Sequence, residues 1–410
     1  MSTEKRHEVI VAGAGPVGMV AALRLAQAGV EVLVLEQGAD LSSDSKASTF
    51  HIPTLELLET LGVIDEVLER GLEAPTFQQR DRKGGLLAEL DLGLLADETA
   101  YPYRLQLEQS KLTRIIRPRL VALPNVELRY EVHVDRAEDR GDHAAIFCNN
   151  SDEPILCDWL IGADGANSMV RQSLGFGFDG VTFPERFLVM STTFDFADVF
   201  DNLAYVAYIT DPDEWLVLLR TPDHWRVLMP VQPEETPEGA VSDERIQERL
   251  NSVLADVGKG PVEFNVIQHS LYNVHQRVVS DFSQSRVLLT GDSAHMNNPL
   301  GGMGMNSGIH DAWSAVDTIL AVRAGADPVA ASALYGRVRA EICHTYVQAQ
   351  TTKNFQEMQE QDREARERRN DEIRKMMGDV EATKAYLRQV SMLTSGRDAI
   401  ARVQSELATL

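Results

Sequence analysis

The chain has 410 residues, enough for two or three lobes with buried cores, and it carries 39 Lys plus Arg against 62 Asp plus Glu, a formal net charge of −23. That charge repels nucleic-acid phosphates and anionic lipid, so neither a nucleic acid nor a membrane is expected as a partner, and the acidity reads as an ordinary soluble surface rather than a salt adaptation. Three irregularly spaced cysteines, Cys148, Cys157 and Cys343, exclude a disulfide framework and a thiolate metal site and fit a reducing compartment.

The first segment, MSTEKRHE followed by VIVAGAGPVGMVAAL, imitates the charged and apolar regions of a signal peptide. Glycines at turn spacing, an end at Arg24 and a strand-like run behind it oppose that reading, and the run is too short to span a bilayer. A cytoplasmic chain is expected. VIVAG reads as a buried strand, PVGMVAALRLAQAG as a helix closed by Gly29, and VEVLVLE as a second β-branched strand, which together make a βαβ unit. Within it GAGPVG places Gly13, Gly15 and Gly18 where the chain must turn tightly, approach a pyrophosphate and pack helix on strand. The helix N-terminus offers unpaired N–H groups to that anion. Glu36, ending the second strand, is placed to accept a hydrogen bond from a ribose hydroxyl. Strand, glycines, helix and acid in this order point to a dinucleotide rather than to a structural turn.

Residues 54–70 are helical around a Gly62 break, and residues 75–105 mix Gly, Pro and short apolar runs. Helical spacing returns over 107–123, and three strand-like runs (VELRYEVHVDRAED, AAIFCN and ILCDWLIGADG) follow as a meander. Cys148 and Cys157 bracket its NNSDEP turn; buried structural thiols are expected there rather than a redox pair. Asp164 and Gly165 end the last strand and Ser168 stands as a helix cap, an arrangement that suits either a polar contact to a cofactor or a plain capped turn. Residues 187–232 alternate strand-like stretches with DPD and TPD turns and read as an antiparallel sheet, the candidate substrate-facing layer.

RVLLTGDSAHMNNPLGGMGMNSG then repeats the strand, Gly-rich loop and helix order. Asp292 is a candidate for a ribityl hydroxyl. The glycines of the loop 299–306 let backbone N–H groups reach a flat polar ring, and the helix dipole behind them favours a reduced, anionic flavin. His295 and His310 read as buried, hydrogen-bonded histidines in preference to a metal pair, and no metal is expected. Residues 328–392 read as almost wholly helical. QDREARERRNDEIRK within them suits a solvated helix or, as a weaker reading, a dimer contact.

Three ordered signatures (GAGPVG with Glu36, the Asp-Gly element at Asp164, and Asp292 continuing through NPLGGMGMN) resemble the single-component (group A) FAD-dependent aromatic hydroxylases, the para-hydroxybenzoate hydroxylase-like family. The likeness runs over most of the chain, including KASTFHIPTLELLETLG, QLEQSKL and AYLRQVSML. It implies an α/β fold: a Rossmann-like FAD-binding domain over residues 1–74, 101–185 and 275–327, an inserted antiparallel-sheet substrate domain over 75–100 and 186–274, and a helical C-terminus over 328–410. It also implies resident FAD, with Gly13, Gly15, Gly18 and Glu36 on the ADP part and Gln109 and Asp292 on the ribityl chain. Gly301, Gly304, Met305 and Asn306 match the flavin-ring loop, and Pro299 matches a residue whose backbone lies near the reacting oxygen. Lys46 stands where relatives often carry arginine near the pyrophosphate, and Gln37 stands where a basic residue often follows the acid, which leaves NADH versus NADPH open.

The implied reaction is NAD(P)H- and O2-dependent hydroxylation of a small electron-rich aromatic, phenolic or N-heteroaromatic, through a flavin hydroperoxide, by a monomer or homodimer. His51 is the candidate for proton handling. Tyr205, Tyr208, Trp215, Arg220 and Trp225 are the substrate candidates on the sheet, Arg220 suiting a carboxylated ring. Other flavin chemistry on the same scaffold, or a flavin-binding regulatory protein without turnover, are the alternatives. No WxWxIP segment supports a halogenase, and the intact glycine loop argues against lost turnover.

Overall fold

The computed structural model describes residues 6–44 and 46–410, so the first five residues of the charged lead-in lie outside it. Near-continuous runs of Val, Ile, Leu and Ala make the strands Arg6–Ala12, Val32–Leu35 and Ile155–Gly162 apolar on both faces. Such strands are stable only with both faces covered, as in a parallel sheet flanked by helices. They pair accordingly. Arg6–Ala12 lies parallel to Val32–Leu35 on one side and to Ile155–Gly162 on the other, and Val126–Arg129 and Val287–Leu289 extend the sheet in parallel outward. The meander read from the sequence is the pair Val134–Asp139 and Ala144–Cys148, laid antiparallel against Ile155–Gly162. Helices Pro16–Gln27 and Gly304–Arg323 pack together on this sheet, both with long buried stretches.

A second eight-stranded sheet is antiparallel except where Val206–Thr210 runs parallel to Thr76–Asp81. Its spine is a long ribbon, Phe178–Thr192 paired with Val266–Val279, so the domain boundaries expected at 185/186 and 274/275 fall inside continuous strands. Leu188, Trp225, Met229 and Leu250 form a core there that is separate from the core beneath the parallel sheet. Helix Asp243–Asp256, which covers this sheet, was not anticipated; its N-cap is Ser242, whose hydroxyl accepts the Arg245 N–H. A short third sheet pairs Arg104–Gln106 antiparallel with Thr49–Phe50 on one side and with Leu72–Ala74 on the other.

The C-terminal third is helical, running through Pro328–Ile342, a π-helical turn at Cys343–Gln348, and on to Leu393–Leu407. Helix Arg363–Met377 buries no residue fully, as its charge run implies. The three cysteines are buried, unpaired thiols. Among the described residues no helix is long and apolar enough to cross a membrane.

Candidate active site

The first βαβ turn, the Asp164 turn and the Gly291 turn are neighbours: a Cβ at Gly13 would meet the Ala163 carbonyl and Asp164, and one at Gly291 would meet Val17. Helix Pro16–Gln27 opens with proline and has no side-chain cap, so its first-turn N–H groups have no side-chain acceptor. A side chain at Gly15 would meet nothing within 4 Å, which leaves room for an anion at that helix end. Gly18 is required for a different reason: a Cβ there would collide with the Gly13 carbonyl, which must sit close for the helix to pack on the strand. The Glu36 carboxylate accepts the N–H groups of Ala14 at 2.9 Å and Gly38 at 2.8 Å, fixing the turn while its remaining lone pairs face outward. Gln109 ties down the facing loop, its Oε1 accepting the Ala47 N–H at 3.2 Å.

Farther along, Asp164 accepts the Val170 N–H through Oδ2 at 3.1 Å, while its buried Oδ1 has no partner. Ser168 caps the same short helix as expected, accepting the Arg171 N–H at 2.9 Å. The Asp292 carboxylate has no protein hydrogen bond. Its residue is exposed, yet the protein crowding the carboxyl raises it above the ordinary range, against the pull of His295 and Lys46. Behind it lies a closed ionic cluster. Asp311 accepts the Gly291 N–H at 3.0 Å, pairs with His295 Nε2 at 2.9 Å and holds Arg339 at 2.6 Å. Burial alone would raise the Asp311 carboxyl, but Arg339 and His295 outweigh it and hold it at about 2. His295 and His310 are thus hydrogen-bonded core groups, His310 meeting Thr54 at 3.1 Å. A row of unclaimed polar groups, namely a bare helix N-terminus, Asp164 Oδ1 and the Asp292 carboxylate, fits a dinucleotide with a hydroxylated linker.

The glycine loop is held from three sides. Asn298 donates to Gln276 Oε1 and the Thr351 carbonyl, each at 2.9 Å, and accepts the Leu300 N–H. Asn306, at the start of helix Gly304–Arg323, donates to the carbonyls of Thr49 at 2.8 Å and Gly302 at 2.7 Å. Pro299 is half-buried and its carbonyl accepts the Gly302 N–H. His51 is fully buried beside this loop and donates from Nε2 to the Gly301 carbonyl at 2.8 Å; its Nδ1 has no partner. Burial first, and the Arg104 charge second, push its pKa down to about 3. A histidine so poised takes up essentially no second proton near neutrality, so it stays a neutral imidazole that donates from Nε2 and is a weak base.

At the edge of the loop a pocket opens among Phe77, Gln79, Arg104, Tyr208, Leu300 and Tyr386. Arg104 lies over Phe77, 4.1 Å from the ring centroid, and donates to Tyr208 Oη at 3.2 Å. Gln79 donates to Tyr386 Oη at 2.9 Å and leaves its own Oε1 without a partner. Of the five substrate candidates on the sheet, only Tyr208 lines this pocket. Trp215 is 1% exposed and packs edge-on against Phe187. Trp225, equally buried, donates to Asp195 and packs on Phe196 in the core of the second sheet. Tyr205 is 40% exposed on the surface, and Arg220 stands at a strand end, 5.9 Å above the Trp225 ring. Period-2 alternation predicts that faces differ but not which face meets the ligand, and the bulky aromatics went to the packed side. Phe77, Gln79, Arg104 and Tyr386 were missed. The available signal was a lone arginine in the apolar run YRLQL, whose isolation among buried residues marks it.

The chain and its fold match known proteins. The FAD binding domain family model matches residues 6–350. Para-nitrophenol 4-monooxygenase of Pseudomonas sp. (strain WBC-3) is 30% identical over 86% of this chain and 88% of its own. The 6-hydroxy-3-succinoylpyridine 3-monooxygenase HspB of Pseudomonas putida (strain DSM 28022 / S16) is 35% identical over 77% of this chain and 79% of its own. The crystal structure of p-nitrophenol 4-monooxygenase PnpA from Pseudomonas putida DLL-E4 superposes with a TM-score of 0.86 at 30% identity, covering 95% of this chain and 99% of that one.

Proposed function

The chain belongs to the FAD-binding-domain family and is an FAD-dependent aromatic monooxygenase drawing on NAD(P)H and O2; from that premise we propose that its substrate is a small single-ring phenol or hydroxypyridine. The observation that carries the substrate class is the pocket beside the glycine loop, with apolar walls at Phe77, Leu300 and Ile373 and polar groups that include Gln79, Arg104, Tyr208, Glu357, Arg369 and Tyr386. The relatives named for a nitrophenol and a hydroxypyridine support the same class. The balance is simple: a ring C–H becomes C–OH, the second oxygen atom leaves as water, and NAD(P)H plus a proton supply the two electrons.

Bound FAD supplies the passage of electrons from NAD(P)H to O2 and the delivery of one oxygen atom. The protein's part is binding, orientation and exclusion of water. In our reading Gly13, Gly15, Gly18 and Glu36 hold the ADP part, Lys46 lies by the pyrophosphate, and Gln109, Asp164 and Asp292 serve the linker. Gly301, Gly304, Met305 and Asn306 form the seat of the ring system, Pro299 borders the reacting centre, and His51 supports the loop from behind as a neutral donor. NAD(P)H supply favours a cytoplasmic enzyme. We propose a monomer or homodimer, with the exposed helix Arg363–Met377 as the face to examine by sedimentation.

The test is oxygen uptake and NAD(P)H oxidation by FAD-loaded protein across phenols, nitrophenols and hydroxypyridines. A stimulated rate with a product one oxygen heavier is expected. Stimulation by larger polycyclic rings alone would overturn the single-ring assignment.

A further inference from the structure

We propose that Asn354 is a positioning residue for the flavin: its side-chain amide locks the Leu300–Gly301 peptide of the glycine loop in one of the two orientations open to it. This rests on the reading above that the loop seats the ring system. The Gly302 N–H donates to the Pro299 carbonyl at 3.0 Å and closes a four-residue turn whose third residue, Gly301, has φ +98°. Position and sign are those of a type II turn, which becomes type I when its central peptide turns over. Glycine adopts either form, so Gly301 does not decide between them. The Leu300 carbonyl belongs to that peptide, and Asn354, on helix Ala349–Met358, donates to it from Nδ2 at 3.1 Å. In a trans peptide the N–H points opposite to the carbonyl. The tether on Leu300 therefore also aims the N–H of the buried Gly301, which has no protein acceptor among the described residues.

Asn354 is itself held in that sense. Gln350, 6% exposed, donates from Nε2 to Asn354 Oδ1 at 2.8 Å, and Gln389, on helix Val380–Val390, donates to Gln350 Oε1 at 2.7 Å. A carbonyl only accepts, so Leu300 fixes the direction of the whole row: each amide turns its nitrogen toward the loop and its oxygen toward the amide behind. Asn298, Asn306, His51 and Asn354 all bond the loop, and of these Asn354 alone lines the pocket. The lock stands at the border between pocket and loop.

The experiment uses FAD-loaded oxidised enzyme without substrate, at about pH 8, where an introduced glutamate is ionised. Visible flavin absorption and the flavin midpoint potential report on the seat, and hydrogen exchange reports on residues 300–303. Asn354→Leu, similar in shape and unable to donate, is expected to shift both flavin signals and to speed that exchange about 3- to 10-fold. Gln350→Glu offers Asn354 only acceptors, so the amide turns round and sets its oxygen against the Leu300 carbonyl; the same shifts are expected from this more distant site. Gln350→Met leaves the amide's direction to Leu300, so its shifts should be smaller than those of Gln350→Glu. A merely structural role for Gln350 makes the two variants alike and overturns the assignment. Gly301→Ala is the reference, because a Cβ there would stand 2.7 Å from Asn354 Nδ2 and disturbs the same peptide directly. Flavin signals moved by Gly301→Ala but not by Asn354→Leu overturn the role of Asn354 and leave the flavin seat standing. Signals moved by neither refute the seat itself, and the lock with it. Should Asn354→Leu not fold, the two Gln350 variants decide by their order.

Discussion

Asn306 holds His51 by the backbone: its Oδ1 accepts the His51 N–H at 2.9 Å, while its amide nitrogen reaches the carbonyls of Thr49 and Gly302. One side chain thus bonds a strand end, a helix start and the glycine loop together. Asn306→Ala removes this partner from three backbone groups, two of them in buried bonds, so a loss of about 2–4 kcal/mol in stability is expected, with faster loss of FAD. Urea denaturation and the flavin-to-protein ratio after gel filtration measure the two effects. An unchanged midpoint would refute the bridging role.

Asp292 makes the opposite prediction. Its folded carboxyl is raised, so the native apoprotein binds more protons there than the unfolded chain, and ionisation near neutrality costs stability. Asp292→Asn should therefore make the apoprotein slightly more stable while weakening FAD about 10-fold or more. Flavin fluorescence quenching on titration of the apoprotein reads the affinity, and thermal melting reads the stability. Both moving in the same direction would contradict the assigned role.

Arg339 is 1% exposed and faces Asp311. Arg339→Met strands a buried carboxylate and should cost about 3–5 kcal/mol, well above an ordinary surface change. Loosening of the Gly291 turn, whose N–H the same carboxylate accepts, should appear as increased hydrogen exchange over residues 290–296.

His51 and His310 both have folded pKa values pushed down by burial to about 3. Below the ordinary histidine pKa of about 6.5 the unfolded chain takes up protons that the native state refuses, so stability rises with pH across this window and falls on acidification. The decline should begin below about pH 6.5, before the carboxylates titrate. His310→Gln, which can still meet the Thr54 hydroxyl, should flatten the slope of guanidinium midpoint against pH between about 6.5 and 4.5. A parallel slope in the variant would reject His310 as a contributor.

Tyr208 and Trp225 separate pocket from core on one sheet. Tyr208→Phe is expected to raise KM with little change in stability. Trp225→Ala should cost about 3–5 kcal/mol and leave the KM of the surviving folded enzyme near its original value. Steady-state kinetics beside chemical denaturation would expose a reversal of the two roles.

The cofactor half of the molecule was readable because its requirements are local. Gly13, Gly15 and Gly18 sit within one turn, Glu36 ends the next strand, and Asp292 precedes its own loop, so each constraint lies within a short stretch of sequence. The parallel sheet followed from its doubly apolar strands. The pocket was not readable in the same way. Phe77, Arg104, Tyr208 and Tyr386 come from four separated segments, and their convergence depends on the parallel joint between Thr76–Asp81 and Val206–Thr210. Nothing in residues 75–105 announced a hairpin joining a distant sheet. The aromatic-rich strands drew attention to Trp215 and Trp225, whose size earned them the core.

Tyr386, which completes the pocket wall, lies on helix Val380–Val390, outside the span 6–350 matched by the family model. During synthesis from the N-terminus this wall emerges after every strand of the two large sheets, so the candidate pocket is completed late, ahead only of helix Leu393–Leu407. It also makes the choice of substrate separable in inheritance from the capture of flavin. A change at Tyr386 on helix Val380–Val390 redraws the pocket wall without altering a residue proposed for the dinucleotide.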